Sequence, residues 1–231
     1  ARLQPGFFCM CGIVALVGSR EAAPQLLEGL RQLEYRGYDS AGIATVAGHG
    51  QLTCLRAKGK LRNLTACFES QGAPGQCGIG HTRWATHGKP EERNAHPHRS
   101  SDGAVAVVQN GIIENHRALR EQLEASGVVF QSETDTEVIP HLLSAELHQL
   151  QAAGGTPGGE LLLAALQQVL PKLEGAYALA VIWDQAPGAL VVARKAAPLL
   201  IGLGEGEFLC ASDTPALAGF TRTILPMEDG E

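Results

Sequence analysis

Positive charge is scarce in this sequence, and no long apolar run occurs along it. Lys and Arg number 18 against 24 Asp and Glu, so the formal net charge is −6. A nucleic-acid-binding protein neutralises phosphates with clustered basic residues. The stretch 56–62 holds only a few of them and is typical of a solvated face. We therefore expect no nucleic-acid partner.

The apolar runs are all shorter than the roughly 18 residues that a membrane-spanning helix needs. Residues 1–10 also lack the apolar segment of a secretion signal. From these two absences we expect a cytoplasmic protein with no membrane partner.

Two groups of sequence motifs are also missing. The six cysteines include no CxxC pair, and in a reducing compartment most of them are expected to be small, buried, apolar residues. No GxGxxG follows a strand, and no GxxxxGKS or GxxxxGKT motif occurs. We therefore predict no nucleotide site and no cofactor.

Hydrophobic periodicity predicts a layered protein of strands and helices. Strands are predicted at 12–17, 41–46, 51–57, 76–81, 104–109, 176–183, 189–193, 199–202 and 207–211. Helices are predicted at 20–33, 115–126, 136–151 and 160–173. The strands fall into two groups with helices between and after them, which is not the regular alternation of a doubly wound sheet.

The first candidate for chemistry is Cys11, which directly follows Met10. Removal of residues 1–10 would leave a chain that begins with cysteine, so that a thiol and a free α-amine belong to one residue. Such an amine has a reference pKa of about 7.7–8.0 and can activate its own nucleophile. The alternative is a buried structural cysteine.

The second candidate is the polar stretch 82–102, because long ordered loops in compact domains are often binding loops or lids. Arg83 offers a planar fork suited to a carboxylate. Trp84, Thr86 and His87 would add an aromatic wall and hydrogen-bonding groups. The alternatives are a purely structural loop and a metal site.

A metal site would use the histidines of this region, which are His81, His87, His96 and His98. Their spacing matches no familiar zinc pattern, and no cysteine lies nearby in the sequence. We therefore predict no metal.

Two further segments allow both a structural and a chemical interpretation. Asn110-Gly111 is a dipeptide typical of a turn that ends a strand, but its side-chain amide and backbone N–H could also stabilise an oxyanion. Thr134 and Glu137 have the spacing of a helix capping box. Asp135 between them would favour the helix dipole, and it could equally hold a substrate ammonium group.

These four segments occur together and in this order, and the combination resembles the glutaminase domain of the glucosamine-6-phosphate synthases, a family of class II glutamine amidotransferases. The matching text is CGIV at 11–14, LEYRGYDSAGIA at 33–44, HTRWATHG at 81–88, NAHPH at 94–98, NGIIENH at 110–116, SETDTEV at 132–138, GAYALAVI at 175–182 and ASD at 211–213. It extends from Cys11 to the end of the chain, and fragments such as RGYDSAG are far more specific than any single motif.

The resemblance implies an α+β fold, the four-layer αββα sandwich of the N-terminal nucleophile hydrolases. It also implies the role of each matching residue. Cys11 is the nucleophile and its α-amine the base; Asn110 and Gly111 form the oxyanion hole; Arg83 holds the α-carboxylate of L-glutamine and Asp135 its α-ammonium; Trp84, Thr86 and His87 line the substrate loop.

The activity that the resemblance implies is hydrolysis of L-glutamine to glutamate and ammonia through a cysteinyl thioester. In the family the ammonia aminates fructose 6-phosphate, a step of amino-sugar (hexosamine) biosynthesis. Two alternatives stay open. One is the glutaminase half of another class II amidotransferase, such as those of purine or asparagine synthesis, and the other is a silent regulatory module with a blocked N-terminus.

Three departures from the family pattern matter. Residues 1–10 precede the glutaminase domain at 11–231 and are interpreted as a leader, a mis-assigned start or a tag. While they are attached, the nitrogen of Cys11 is an amide. Gln109 stands where the family has histidine, and we expect this exchange to tune the site without abolishing it. The chain ends at Glu231, so the sugar isomerase domains that the family implies as partners are expected to be absent from it.

Overall fold

The computed structural model describes residues 11–37, 39–84 and 89–231. Within them the strands are β1 (Gly12–Gly18), β2 (Ser40–Val46), β3 (Leu52–Lys58), β4 (Cys77–Arg83), β5 (His98–Arg99), β6 (Val105–Ile113), β7 (Gly175–Trp183), β8 (Val191–Lys195), β9 (Leu200–Gly204), β10 (Glu207–Ala211) and β11 (Thr223–Pro226). The α-helices are α1 (Ala22–Gln32), α2 (Leu61–Gln71), α3 (His116–Ala125), α4 (Val138–Ala152) and α5 (Gly159–Val169). The predicted extension 1–10 lies outside the described residues, as do Thr86 and His87.

The strands form two antiparallel sheets that face each other. The wide sheet has the order β11-β9-β10-β1-β4-β2-β3, and the narrow sheet has the order β5-β6-β7-β8. Between them lies a dry core to which β1 contributes Ile13 and β4 contributes Ile79, packed with Val108 and Ile182 from the narrow sheet. Side chains alternate between the two faces of a strand, so each sheet also presents a second apolar face outward.

Helices cover both outward faces. The apolar stripe of α1, including Leu26 and Leu30, packs with Leu64 of α2 on the wide sheet. Helices α3, α4 and α5 pack on the outer face of the narrow sheet, where Leu143 and Leu166 meet its aliphatic residues. The four layers confirm the predicted αββα sandwich. Among the described residues no helix is long and apolar enough to cross a bilayer.

Two of the predicted local structures are wrong. Asn110-Gly111 does not end a strand, because β6 continues through it to Ile113 and stays paired with β7. Thr134 and Glu137 do not form a capping box, because α4 begins only at Val138 and has no side-chain cap. The carboxylate of Glu137 instead accepts hydrogen bonds from the backbone N–H groups of Gln131 and Ser132.

The pattern also missed α2 and β11 and predicted a long ordered loop at 82–102. Where that stretch is described, it contains the end of β4, a 3-10 helix at Glu92–Asn94 and the short strand β5. Its residues 94–98 are buried, although most are polar. Polar side chains that satisfy one another inside a protein leave no hydrophobic period to detect.

A core substitution tests the packing of α1 on the wide sheet. Leu26→Ala should lower the free energy of unfolding by about 2–5 kcal/mol, because it removes a fully buried side chain and leaves a cavity. Leu163→Ala is the matched control, since Leu163 on α5 is 46% exposed. Urea denaturation followed by circular dichroism measures both, and equal losses would contradict this packing.

Candidate active site

The predicted site residues meet at one end of the two sheets. Strands β1 and β4 run antiparallel with Gly12 opposite Thr82, so Cys11 at the start of β1 lies beside Arg83 at the end of β4. Asn110, Gly111 and Asp135 approach from the narrow sheet and from the segment before α4. All five residues line one cavity of about 470 Å³.

The thiol of Cys11 is held by the backbone of the neighbouring strand end. Its Sγ lies 3.2 Å from the backbone N of Trp84, which donates to it, and 3.5 Å from the carbonyl oxygen of Trp84. Burial raises the pKa of the Cys11 thiol, although the Trp84 backbone and the charge of Arg83 act in the opposite direction. The sulfur is therefore mostly protonated near neutral pH, and a base is needed to form the thiolate.

Asn110 and Gly111 lie on β6, where Asn110 contacts the backbone of Cys11. The Nδ2 of Asn110 donates to the carbonyl oxygen of Cys11 at 2.9 Å, and its Oδ1 lies 3.1 Å from Nε2 of His81. Gly111 has φ +114°, and a Cβ there would lie 2.0 Å from the carbonyl oxygen of Ala176. A side chain at position 111 is therefore excluded both by its backbone conformation and by the adjacent strand.

Opposite charges are buried in the same cavity. Arg83 is only 3% exposed, its Nη1 donates to the carbonyl oxygen of Lys89 at 3.4 Å, and it lies 4.0 Å from Oδ1 of Asp39. The carboxylate of Asp135 is also buried, and its Oδ2 accepts a 2.8 Å hydrogen bond from the backbone N–H of Ile113. The cavity thus presents a guanidinium and a carboxylate in fixed positions.

The wall of the cavity includes residues that no motif indicated. Trp84 was predicted and lines it, as does Ala176 from the matching stretch 175–182, whereas the segment 196–198 adds apolar surface that no motif indicated. Ala196 in that segment has a positive φ of +58° without being glycine. Local sequence gives no signal for such a wall, because the segment comes from far along the chain.

Buried histidines adjoin the cavity, which His96 lines and His81 does not. His81 and His96 meet edge to face with ring centroids 4.2 Å apart. Burial lowers the pKa of His81 to about 3 and that of His96 well below its usual value, so both rings are neutral at physiological pH. Across the described residues no group of three His, Cys, Asp or Glu side chains is placed to hold a metal ion.

Comparison with known proteins identifies the family of the chain. The family described as "Glutamine amidotransferase domain" matches residues 81–219. Glutamine–fructose-6-phosphate aminotransferase (isomerizing) of Thermosynechococcus vestitus is 59% identical over 222 residues, covering 96% of this chain and 34% of that protein. The enzyme of the same name from a Nostoc species is 58% identical, covering 96% and 35%. The chain thus spans about a third of the length of the curated relatives it matches.

A solved structure shows the same architecture. Glutamine phosphoribosylpyrophosphate amidotransferase from B. subtilis, complexed with ADP and GMP, superposes with a TM-score of 0.76 at 30% identity. The match covers 95% of this chain and 46% of that one.

Substitution of Gly111 tests the close approach of β6 and β7 at the cavity. Gly111→Ala should destabilise the fold by more than the roughly 1–2 kcal/mol that a left-handed conformation alone costs an alanine, because the added Cβ meets the carbonyl oxygen of Ala176. Gly127→Ala is the control, since Gly127 has φ +93° but nothing within 4 Å of the added carbon. Equal losses in urea unfolding would show that the approach does not matter.

Proposed function

Because this chain belongs to the glutamine amidotransferase domain family, as its motifs predicted, we propose that it hydrolyses L-glutamine to glutamate and ammonia through a thioester on Cys11. One observation carries the proposal. A thiol, an amide donor and a pair of opposite buried charges line a single cavity. The combination fits an amino acid with a side-chain carboxamide.

The charge pair would recognise the amino-acid end of the substrate. Arg83 would bind the α-carboxylate through its planar guanidinium, and Asp135 would bind the α-ammonium group. A site with buried charges rejects a ligand that leaves them unpaired. A simple amide would therefore be a poor substrate, and glutamine would be held with its carboxamide toward Cys11.

The base for the Cys11 thiol would be the α-amine of the same residue. Burial raises the pKa of the thiol, so the sulfur needs a proton acceptor. The histidine that lines the cavity, His96, is a poor acceptor because burial lowers its pKa well below the usual value. A free α-amine, with a reference pKa of about 7.7–8.0, fits better, and it exists only once residues 1–10 are removed.

The reaction would proceed in two acyl-transfer steps. The sulfur of Cys11 attacks the carboxamide carbon while its proton passes to the α-amine. The tetrahedral intermediate collapses when that proton reaches the leaving nitrogen, so that ammonia departs and a glutamyl thioester remains. Water then adds to the thioester carbon, the C–S bond breaks, and glutamate leaves with the thiol restored.

Asn110 and Gly111 would stabilise the negative oxygen of both tetrahedral intermediates. The Nδ2 of Asn110 and the backbone N–H of Gly111 belong to adjacent residues of one strand, and the Asn110 amide is held by its contacts with the carbonyl oxygen of Cys11 and Nε2 of His81. Loss of one donor from such a hole typically lowers kcat by about 10²–10³. The carbonyl oxygen of Cys11, which Asn110 now contacts at 2.9 Å, lies close to the reacting sulfur.

The larger role follows from the relatives. At 58–59% identity they are named glutamine–fructose-6-phosphate aminotransferase, so the ammonia from this domain would aminate fructose 6-phosphate on sugar isomerase domains. A cytoplasmic location suits that step of amino-sugar synthesis. The purine-pathway alternative is less favoured, because the phosphoribosylpyrophosphate amidotransferase is only 30% identical.

The chain terminus tests the proposed base. Chain trimmed to begin at Cys11 should release glutamate from glutamine, whereas chain that retains residues 1–10 should be at least about a hundredfold slower for want of general-base catalysis. Cys11→Ala in the trimmed chain should abolish hydrolysis with the fold retained. Intact mass and an enzymatic glutamate assay on the same samples measure this. Full activity of the extended chain would exclude the α-amine, and no activity in any form would favour a silent module.

Arg83 is tested by a change that keeps its charge. Arg83→Lys should raise KM for glutamine on the order of tenfold, because a point charge replaces a bidentate fork, and should affect kcat less. Arg62→Lys is the control, since Arg62 is exposed on α2 and does not line the cavity. Steady-state kinetics measure both variants, and an unchanged KM in Arg83→Lys would remove Arg83 from substrate binding.

A further inference from the structure

We infer that Thr136, His96 and His81 form a hydrogen-bond chain with one fixed direction, which orients the Asn110 amide toward the reacting sulfur. His81 is thereby a positioning residue and makes no contact with substrate. The inference deepens the proposed function, because it rests on Asn110 as an oxyanion donor.

The contacts of the chain are continuous and buried. From His81, Nε2 lies 3.1 Å from both Asn110 Oδ1 and the carbonyl oxygen of Gln109. Nδ1 of His96 lies 3.2 Å from Nδ1 and 3.1 Å from Nε2 of His81. Nε2 of His96 lies 3.0 Å from Oγ1 of Thr136, which in turn lies 2.7 Å from Oε1 of Gln109. All five residues are at most 5% exposed.

One group fixes the direction of the whole chain. The backbone carbonyl of Gln109 can only accept, so Nε2 of His81 carries the proton and donates. The Nε2 proton of His81 is directed to the two oxygens at 3.1 Å, so we do not count the 3.1 Å contact between Nε2 of His81 and Nδ1 of His96 as a donation from His81. Nδ1 of a neutral His81 ring has a lone pair, and we assign the proton of its 3.2 Å contact to Nδ1 of His96. This leaves Nε2 of His96 as an acceptor, so the hydroxyl of Thr136 donates to it.

The same logic assigns the amide of Gln109. With its proton committed to His96, the Thr136 hydroxyl can only accept from Gln109, which therefore presents its NH2 group. Oε1 of Gln109 faces Thr136, and among the described residues Nε2 of Gln109 is buried without a hydrogen-bond partner. Exchange of the oxygen and nitrogen of the Gln109 amide lets its NH2 group donate to the Thr136 hydroxyl. The atom left without a partner is then a buried oxygen and no longer a buried NH2 group. Oxygen and nitrogen of an amide are assigned from such networks.

The chain matters because an asparagine amide can present either end to its neighbour. A donor at Nε2 of His81 favours the orientation in which Oδ1 of Asn110 faces His81 and Nδ2 faces Cys11. The opposite orientation would aim a carbonyl oxygen at the developing negative charge and would be repulsive. A preorganised donor needs no rearrangement during the reaction.

The direction of the chain is measured by long-range ¹H–¹⁵N NMR of the histidine side chains in the full chain between pH 5 and 8. We expect the Nε2–H tautomer for His81 and the Nδ1–H tautomer for His96, with no change across that range. The Nε2–H tautomer for His96, or protonation of either ring in that range, would overturn the assignment. This readout does not depend on glutamine hydrolysis.

The catalytic consequence is measured by a double-mutant cycle on the form of the chain that hydrolyses glutamine. Asn110→Ala should lower kcat about 10²–10³-fold. Thr136→Val, which removes only the hydroxyl, should lower kcat roughly tenfold with KM unchanged, and Thr136→Ser should restore it. Asn110→Ala with Thr136→Val should be no slower than Asn110→Ala alone within about twofold, because the chain acts through Asn110.

Other outcomes of the cycle separate the two proposals. Multiplicative losses in the double variant, or a loss confined to KM, would overturn the positioning role and leave the proposed function in place. Wild-type kcat in Asn110→Ala would instead exclude Asn110 as an oxyanion donor. The NMR measurement of the histidine tautomers would still test the direction of the hydrogen-bond chain. If Thr136→Val does not fold, His81→Gln replaces it in the cycle, because this variant keeps an Nε2–H donor but breaks the link to His96. The criterion is the same: combined with Asn110→Ala, it should be no slower than Asn110→Ala alone within about twofold.

Discussion

The pairing of β1 with β4 in the middle of the wide sheet is the constraint on which the rest of the structure depends. Glycines at 78 and 80 make it possible for α1 to lie directly on β4, because a Cβ at these positions would come within 2.9 Å of Leu26 and 3.1 Å of Leu30. With α1 on one face and the narrow sheet on the other, β4 has no freedom to shift. The register then fixes where Cys11 and Arg83 meet.

Burial sets the chemistry of the site as firmly as it sets the geometry. The same desolvation that raises the pKa of the Cys11 thiol lowers the pKa of the histidines behind it. In both cases the neutral form is favoured, because a charge loses its hydration inside the protein. The neutral groups of the site are therefore held by hydrogen bonds, while Arg83 and Asp135 remain as a buried pair of opposite charges. Arg83 and Asp135 are buried charged groups that line the cavity, which the exposed Glu114 also lines.

The fold and much of the site could be predicted because the relevant signals are local. The stripe of α1 and the aliphatic runs of the strands fixed the layers, and a resemblance in motifs indicated Cys11, Arg83, Asn110 and Asp135. Asn110-Gly111 was mispredicted as a turn because its local preference is outweighed by a continuous ladder between β6 and β7. The roles of His81, His96 and Thr136 could not be predicted, since their contacts join residues 15 to 40 positions apart.

The thiol and the charge pair are held by one rigid framework of strands, which fixes the distance between them. The strand that carries Cys11 is held on both sides, by β4 and by β10, and Asp135 is tied to the backbone of β6. The distance from Arg83 and Asp135 to the sulfur of Cys11 is therefore set by the protein and not by the ligand. In the proposed binding mode, asparagine, which is one methylene shorter, would not bind Arg83 and Asp135 and reach the sulfur at the same time, and a misplacement of roughly 1 Å can cost about a hundredfold in rate. Side-chain length, as much as charge, is what this cavity would select.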